Sequence, residues 1–140
     1  MKIGFIGLGT MGASLASNLQ KSGLKLIVHD VDEETAGQHL KAGASWADTP
    51  KQLALQSDVI LTSLPGPPEI EEVYLKAGTG LIEGLKKDQV CFDLSTNSPS
   101  LIRHIHDEFG KKGVHVLDAP VSGGPKGAKS GKLAIWVGGG

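Results

Sequence analysis

Short apolar runs alternate with stretches of helical period from one end of the chain to the other. The run from Lys2 to Gly7 predicts a strand, and Thr10 to Ser22 follows as a helix with Met11, Leu15 and Leu19 on one face. Leu24 to His29 predicts a second strand, and Asp32 to Lys41 a helix with Asp32 in the N-cap position. A short strand near Ala44 to Ala47 leads to a small helix at Pro50 to Gln56, with proline in its first turn. Asp58 to Leu64 is apolar and β-branched, the pattern of a buried parallel strand. Pro65-Gly66-Pro67-Pro68 then interrupts the chain, after which Ile70, Val73, Tyr74 and Ala77 restore a helical stripe. A short helix near Gly80 to Leu85 and a strand at Gln89 to Leu94 follow. Ser98 and Pro99 then open a helix that turns Leu101, Ile102, Ile105 and Phe109 inward. Val114 to Asp118 and Leu133 to Val137 are the last two strands.

Strands joined by crossover helices require a mainly parallel sheet. Right-handed crossovers place the helices on both faces, so the expected fold class is α/β, of the Rossmann type, doubly wound. The chain of 140 residues fits one domain. Its composition, 39% hydrophobic and 21% charged, can fill a core. Glycine is enriched, at 20 residues, and clusters where tight turns are expected instead of repeating every third position. A formal net charge of -1 gives no electrostatic footprint for nucleic acid and no polybasic membrane patch. No apolar run approaches a membrane span and no signal-peptide pattern opens the chain, so a soluble, cytoplasmic protein is expected. The single cysteine, Cys91, lies in an apolar run and reads as a buried inert thiol. The five histidines are scattered and suggest no metal site; His104 and His106, two apart on a helix, face different ways.

The first strand runs directly into Gly7-Leu8-Gly9-Thr10-Met11-Gly12, a G-x-G-x-x-G that opens a helix. In that context each glycine has a job. Gly7 permits the tight turn, Gly9 lets the backbone approach a pyrophosphate, and Gly12 allows close packing of helix on sheet. Amides without partners at the helix start then face the phosphates. Asp30, 18 positions beyond Gly12 at the end of the second strand, can accept hydrogen bonds from both hydroxyls of an adenosine ribose. Its charge would repel a 2′-phosphate, so NAD is expected in preference to NADP, with NADP still open. Asp32 competes for the same role, although its capping position favours a structural one.

Other chemistries fail on spacing. Gly127-Ala128-Lys129-Ser130-Gly131-Lys132 is one residue short of a P-loop, and Leu133 stands where Ser or Thr is needed. Gly78, four residues after Tyr74, rules out a Tyr-x-x-x-Lys pair. Two polar segments fall at the carboxyl ends of strands, where ligands of an open parallel sheet sit. In Asp93-Leu94-Ser95-Thr96-Asn97-Ser98-Pro99, capping needs Ser98 and Pro99 but not Ser95 or Thr96, whose hydroxyls are equally open to a ligand or a turn. Ser122-Gly123-Gly124 reads equally as a tight turn or as a nest for a carboxylate.

Together, Phe5 to Gly12, Asp93 to Pro99 and Asp118 to Gly124 resemble, in order and with fitting separations, the three signatures of the β-hydroxyacid dehydrogenases. That family includes 3-hydroxyisobutyrate dehydrogenase and tartronate semialdehyde reductase. The resemblance implies that Gly7, Leu8, Gly9, Thr10, Met11 and Gly12 hold the pyrophosphate and Asp30 the adenosine ribose. It places Leu64 and Pro65 along the cofactor, Thr96 near its nicotinamide half, and Ser122, Gly123 and Gly124 on the carboxylate of a 3-hydroxy acid. Family members transfer a hydride between that acid and the nicotinamide, with a lysine as general acid/base. The lysine follows a Gly-x-Gly-x-x-x-Lys pattern at the start of a second, all-helical domain. Lys126, Lys129 and Lys132 do not match that pattern, so no catalytic residue is assigned.

The resemblance therefore implies that residues 1–140 form the dinucleotide-binding domain of an NAD(P)-dependent 3-hydroxyacid dehydrogenase. The helical domain is expected to be absent, activity to be lacking in isolation, and an apolar surface to be left uncovered. The full-length enzyme is expected to be a homo-oligomer. Two rivals stay open: a stand-alone dinucleotide-binding or sensing module, and the cofactor domain of an imine reductase.

Overall fold

The computed structural model describes residues 1–95, 98–119 and 138–139. Strand β1 (Ile3–Ile6) leads through helix α1 (Thr10–Lys21) to β2 (Leu26–His29). Helix α2 (Gly37–Lys41) connects β2 to β3 (Ser45–Trp46), and α3 (Pro50–Gln56) connects β3 to β4 (Val59–Thr62). Helix α4 (Pro67–Leu75) precedes β5 (Val90–Asp93), and α5 (Pro99–Gly110) precedes β6 (His115–Asp118). The sheet order is β3-β2-β1-β4-β5-β6, with a short β7 (Gly138–Gly139) beside β6. Pairings among β1 to β6 are all parallel, and β7 is antiparallel to β6. The α/β, mainly parallel reading is thus observed. The predicted strand at Leu133 to Val137 lies outside the described residues.

Successive side chains point to opposite faces, so burial alternates along β4 and β5, whereas the central β1 is buried on both faces. Ile3, Phe5, Leu26 and Val28 join one buried cluster with Ala16 of α1, against which Leu15, Leu19 and Leu40 pack. Ile6, Ile60, Cys91 and Val116 join a second with Leu53 of α3, Ile70 and Tyr74 of α4, and Ile105 and Phe109 of α5. Two clusters on opposite faces are what a doubly wound sheet requires. The first is confined to the β1–β2 side. Beyond it Val59, Leu61, Val90, Phe92 and Leu117 are only half-buried, while their neighbours Ile60, Cys91 and Val116 are fully buried.

The predicted helices are capped as their sequences imply. Ser98 accepts from the Leu101 amide at 3.2 Å, and Thr49 from that of Gln52 at 3.1 Å. Two expectations need correction. Asp32 to Lys41 is not one helix: a 3-10 turn over Glu33–Ala36 precedes a five-residue α2. The weak helix formers Thr35 and Gly37 sit at the join, which lowers the benefit of continuing one regular helix. The α4 stripe ends at Tyr74, because Lys76 caps the helix in extended backbone and leaves Ala77 exposed. The short helix near Gly80 to Leu85 is a 3-10 turn at Leu81–Gly84.

Candidate functional site

Strand β1 continues to β2 on one side and has β4 on the other, so the strand order reverses between β1 and β4. Crevices at such switch points are where open α/β sheets bind ligands. A cleft of about 590 Å³ opens there, with Gly9, Met11, Asp30, Val31, Leu64 and Pro65 in its wall. That volume is in the range of small-molecule and cofactor sites.

The glycine loop is shaped by contacts that exclude a side chain. Gly7 has φ +100°, a left-handed conformation, and a Cβ there would collide with the Ser63 carbonyl oxygen of the loop after β4. A Cβ on Gly12 would strike the carbonyl oxygen of Gly7, which lets the first turn of α1 close tightly on the end of β1. Around Gly9, by contrast, a Cβ would meet nothing, so the backbone is open on the cleft side. The first intrahelical bond runs from the Ala13 amide to the Gly9 carbonyl at 2.7 Å, so the amides of Thr10, Met11 and Gly12 precede the helical ladder. No side chain caps this end and no acidic residue stands in its first turn. An exposed, uncompensated helix start of this kind suits a phosphate. The loop therefore fits a dinucleotide pyrophosphate.

Asp30 is tied to the same loop. Its Oδ2 accepts from the Leu8 amide at 2.6 Å and its Oδ1 from the Asp32 amide at 3.0 Å. A carboxylate has about four lone-pair sites, so both oxygens keep capacity for another donor. The competing Asp32 is used locally: its side chain accepts from the Glu34 amide at 3.1 Å and its carbonyl from the Thr35 hydroxyl at 2.7 Å. Beside them Val31 is almost fully exposed.

Across the switch point a buried polar chain links four segments. The Thr62 hydroxyl donates to Asp93 Oδ1 at 3.1 Å and lies 2.7 Å from the Tyr74 hydroxyl. Thr62 has one hydroxyl proton, so Tyr74 donates to Thr62. The Ser95 amide also donates to Asp93 Oδ1 at 3.1 Å, and Ser95 Oγ accepts from the Leu64 amide at 2.7 Å. Burial, with Asp93 and Cys91 close by, pushes the Tyr74 phenol well above its usual range, which keeps it a donor. Asp118, in register with Asp93 on β6, is also raised, first by burial and then by the Asp93 charge. Among the described residues, its buried Oδ1 has no hydrogen-bond partner.

The fold thus brings Gly7, Gly9, Thr10, Met11, Gly12, Asp30, Leu64 and Pro65 to one crevice, while Leu8 turns its side chain into the core and meets the site only through its amide on Asp30. Ser95, open at sequence level between ligand and turn, accepts a backbone amide in the β4 loop. Thr96, Ser122, Gly123 and Gly124 lie outside the described residues. The sequence reading missed Thr62 and Tyr74, whose signal was a polar residue closing an apolar strand and a tyrosine within a core stripe. Cys91 is buried and its thiol is pushed up to about 12 by burial, as an inert thiol should be. His29 and His39 are buried packing residues: His29 Nδ1 is 2.8 Å from the Ala47 carbonyl, and His39 Nδ1 is 3.0 Å from Gln20 Oε1. Among the described residues no helix is long and apolar enough to cross a membrane.

Comparison with known proteins agrees with this geometry. Residues 2–140 match the family described as the NAD binding domain of 6-phosphogluconate dehydrogenase. An uncharacterized oxidoreductase of Bacillus subtilis, YkwC, is 44% identical over 98% of this chain and 47% of its own length. The mitochondrial 3-hydroxyisobutyrate dehydrogenase of Mus musculus is 41% identical over 98% of this chain and 41% of its own. Among solved structures, Psf3 in complex with NADP+ and 2-OPP superposes with a TM-score of 0.92 at 32% identity, over 96% of this chain and 48% of that one. The chain spans less than half the length of these relatives.

Proposed function

This chain belongs to the family of the NAD-binding domain of 6-phosphogluconate dehydrogenase, and from that premise we propose that it is the cofactor-binding part of a dehydrogenase acting on a 3-hydroxy acid. The observation that carries the reading is the direct bond between the glycine loop and the acid at the end of β2, Leu8 amide to Asp30 Oδ2 at 2.6 Å. That bond sets a pyrophosphate cradle and a ribose acceptor at one fixed separation. In this reading Thr10, Met11 and Gly12 present backbone amides to the phosphates, and Asp30 accepts from the adenosine ribose hydroxyls. Asp30, Asp32, Glu33 and Glu34 make the ribose end acidic, which supports NAD over NADP.

Residues at the ends of β1 and β2 would hold the adenosine half, and Leu64, Pro65 and Thr96 would hold the nicotinamide half. Bound there, NAD would supply the hydride acceptor for oxidation of the hydroxyl-bearing carbon of the substrate. Ser122, Gly123 and Gly124 hold the substrate carboxylate, and residues of a further helical domain supply the acid/base group that takes the hydroxyl proton. On this reading the chain binds cofactor by itself and turns over no hydroxy acid.

The test is a calorimetric titration with NADH and then NADPH, followed by a small 3-hydroxy carboxylate in the presence of NAD. Tighter binding of NADH, with uptake of the hydroxy acid, is the expected result. Binding of cofactor without any hydroxy acid would favour a nucleotide-sensing module. Failure to bind either cofactor would overturn the reading.

A further inference from the structure

We propose that Tyr74, Thr62, Asp93 and Ser95 form a positioning relay that fixes the backbone of Leu64 for the nicotinamide half of the cofactor. The proposal rests on the cofactor reading above. Its first support is where the polar groups lie. Thr62, Asp93 and Tyr74 are fully buried and Ser95 nearly so, in a region otherwise filled by Ile60, Cys91, Ile70 and Phe109. Each of these polar groups must be hydrogen-bonded to be tolerated there, whereas valine or phenylalanine of similar shape would not need a partner. A wholly apolar filling would hold the elements together equally well, so packing alone does not account for the chain of hydroxyls.

The second support is where the chain ends. From α4 it crosses β4 and β5 and emerges at one backbone group, the Leu64 amide, beside the cleft. The loop after β4 is also held from the other side, because the Ser63 amide donates to the Ile6 carbonyl at 2.9 Å and Gly7 packs against the Ser63 carbonyl. Leu64 is therefore clamped between the glycine loop and Ser95. The adenosine side has its own anchor at Asp30 and shares no group with the relay. The two halves of the site should respond separately to mutation.

The experiment compares NADH with ADP-ribose, which lacks the nicotinamide, by calorimetric titration of this chain and its variants. Loss of the Ser95 hydroxyl's bond to the Leu64 amide by Ser95→Ala, or of both bonds of the Thr62 hydroxyl by Thr62→Val, is expected to weaken NADH about three- to tenfold and to leave ADP-ribose within about twofold. The conservative replacements Ser95→Thr and Thr62→Ser keep the hydroxyl and should restore NADH binding. Circular dichroism establishes that each variant is folded, and Ser95→Ala, at the end of the relay, serves if Thr62→Val is not. Equal weakening of both ligands, or no change in either, overturns the relay and leaves the cofactor reading standing. A wild-type chain that binds neither ligand overturns the cofactor reading and the relay with it.

Discussion

Asp30 offers the sharpest separation between a structural and a recognition role, through Asp30→Asn. The carboxamide keeps the shape but has one acceptor oxygen, whereas the carboxylate now accepts from two amides, Leu8 at 2.6 Å and Asp32 at 3.0 Å. One of those amides must then face an NH2 group. A hydrogen bond to a charged group contributes about 1.5–3 kcal/mol, so a stability loss toward the lower end of that range is expected at this half-buried site. Ligand binding changes in two further ways. NADH loses a charged acceptor at its ribose, which should weaken it about tenfold. NADPH loses the same acceptor but escapes repulsion between the 2′-phosphate and the carboxylate. Two unit charges about 4 Å apart repel by about 1 kcal/mol in water and about 4 kcal/mol at an effective dielectric of about 20. Because the cleft is open to solvent the low end applies, and it roughly offsets the lost hydrogen bond. The lost acceptor is common to both cofactors, so the ratio of the two dissociation constants should move by the relieved repulsion alone, about fivefold toward NADPH.

The assay is calorimetry of wild type and variant with both cofactors at two ionic strengths. The repulsive contribution is screened by salt, so the wild-type preference for NADH should shrink as salt rises, and the variant's ratio, with only Asp32, Glu33 and Glu34 left to repel the phosphate, should change less. If both cofactors weaken equally in the variant, with no change in their ratio, Asp30 serves only to pin the glycine loop. The discrimination argument would then be refuted.

Gly12→Ala places a methyl group against the Gly7 carbonyl; urea denaturation should show a loss of about 1–3 kcal/mol, the usual cost of overpacking, together with weaker cofactor binding. Cys91, with its thiol raised to about 12 by burial, should react with a thiol reagent at pH 8 only as fast as the chain unfolds, and rapid labelling of the native protein would contradict its burial. For Asp118, whose folded pKa is raised, the native state holds its proton more tightly than the unfolded chain does. Its contribution to stability is therefore present below the unfolded pKa and declines as pH rises through the raised value. Asp118→Asn should raise the melting temperature at neutral pH and flatten the decline above pH 4, and an unchanged pH profile would count against it. The half-buried face at Val59, Leu61, Val90, Phe92 and Leu117 predicts concentration-dependent association of this chain in sedimentation, and a strict monomer at high concentration would count against that.

Most of the fold was legible because its information is local. The runs that became β1, β4 and β5 each hold three apolar residues within four positions. Strand ends were predicted one or two residues too long, since residues such as Gly7 and Leu64 are apolar or small yet belong to the loops that face the cleft. Helix α2 was overextended because its apolar spacing persists through Thr35 and Gly37, where backbone preference decides against a continuous helix. The glycine loop was legible for the same local reason: of three glycines within six residues, Gly7 and Gly12 answer a steric demand of their neighbours, and Gly9 leaves the backbone open. The relay was not. Thr62 and Tyr74 are 12 residues apart and Thr62 and Asp93 are 31 apart, and their meeting depends on β4 and β5 being sheet neighbours in one register.

That register gives the site its form. Across the carboxyl ends of the strands, His29 pairs with Ile6, Ile6 with Thr62, Thr62 with Asp93, and Asp93 with Asp118. In-register residues of a parallel sheet lie on one face, so these five form a single row. Four of the five are polar, while the preceding row on the same face, Ile27, Gly4, Ile60, Cys91 and Val116, has no side chain able to ionise at neutral pH or carry a hydroxyl. That face of the sheet therefore changes from core to site within two residues per strand. Inside the row each polar group found a donor or acceptor by a different route: a carbonyl for His29, hydroxyls and an amide for Thr62 and Asp93. Asp118 closes the row at its outer end with a buried oxygen still lacking a donor among the described residues.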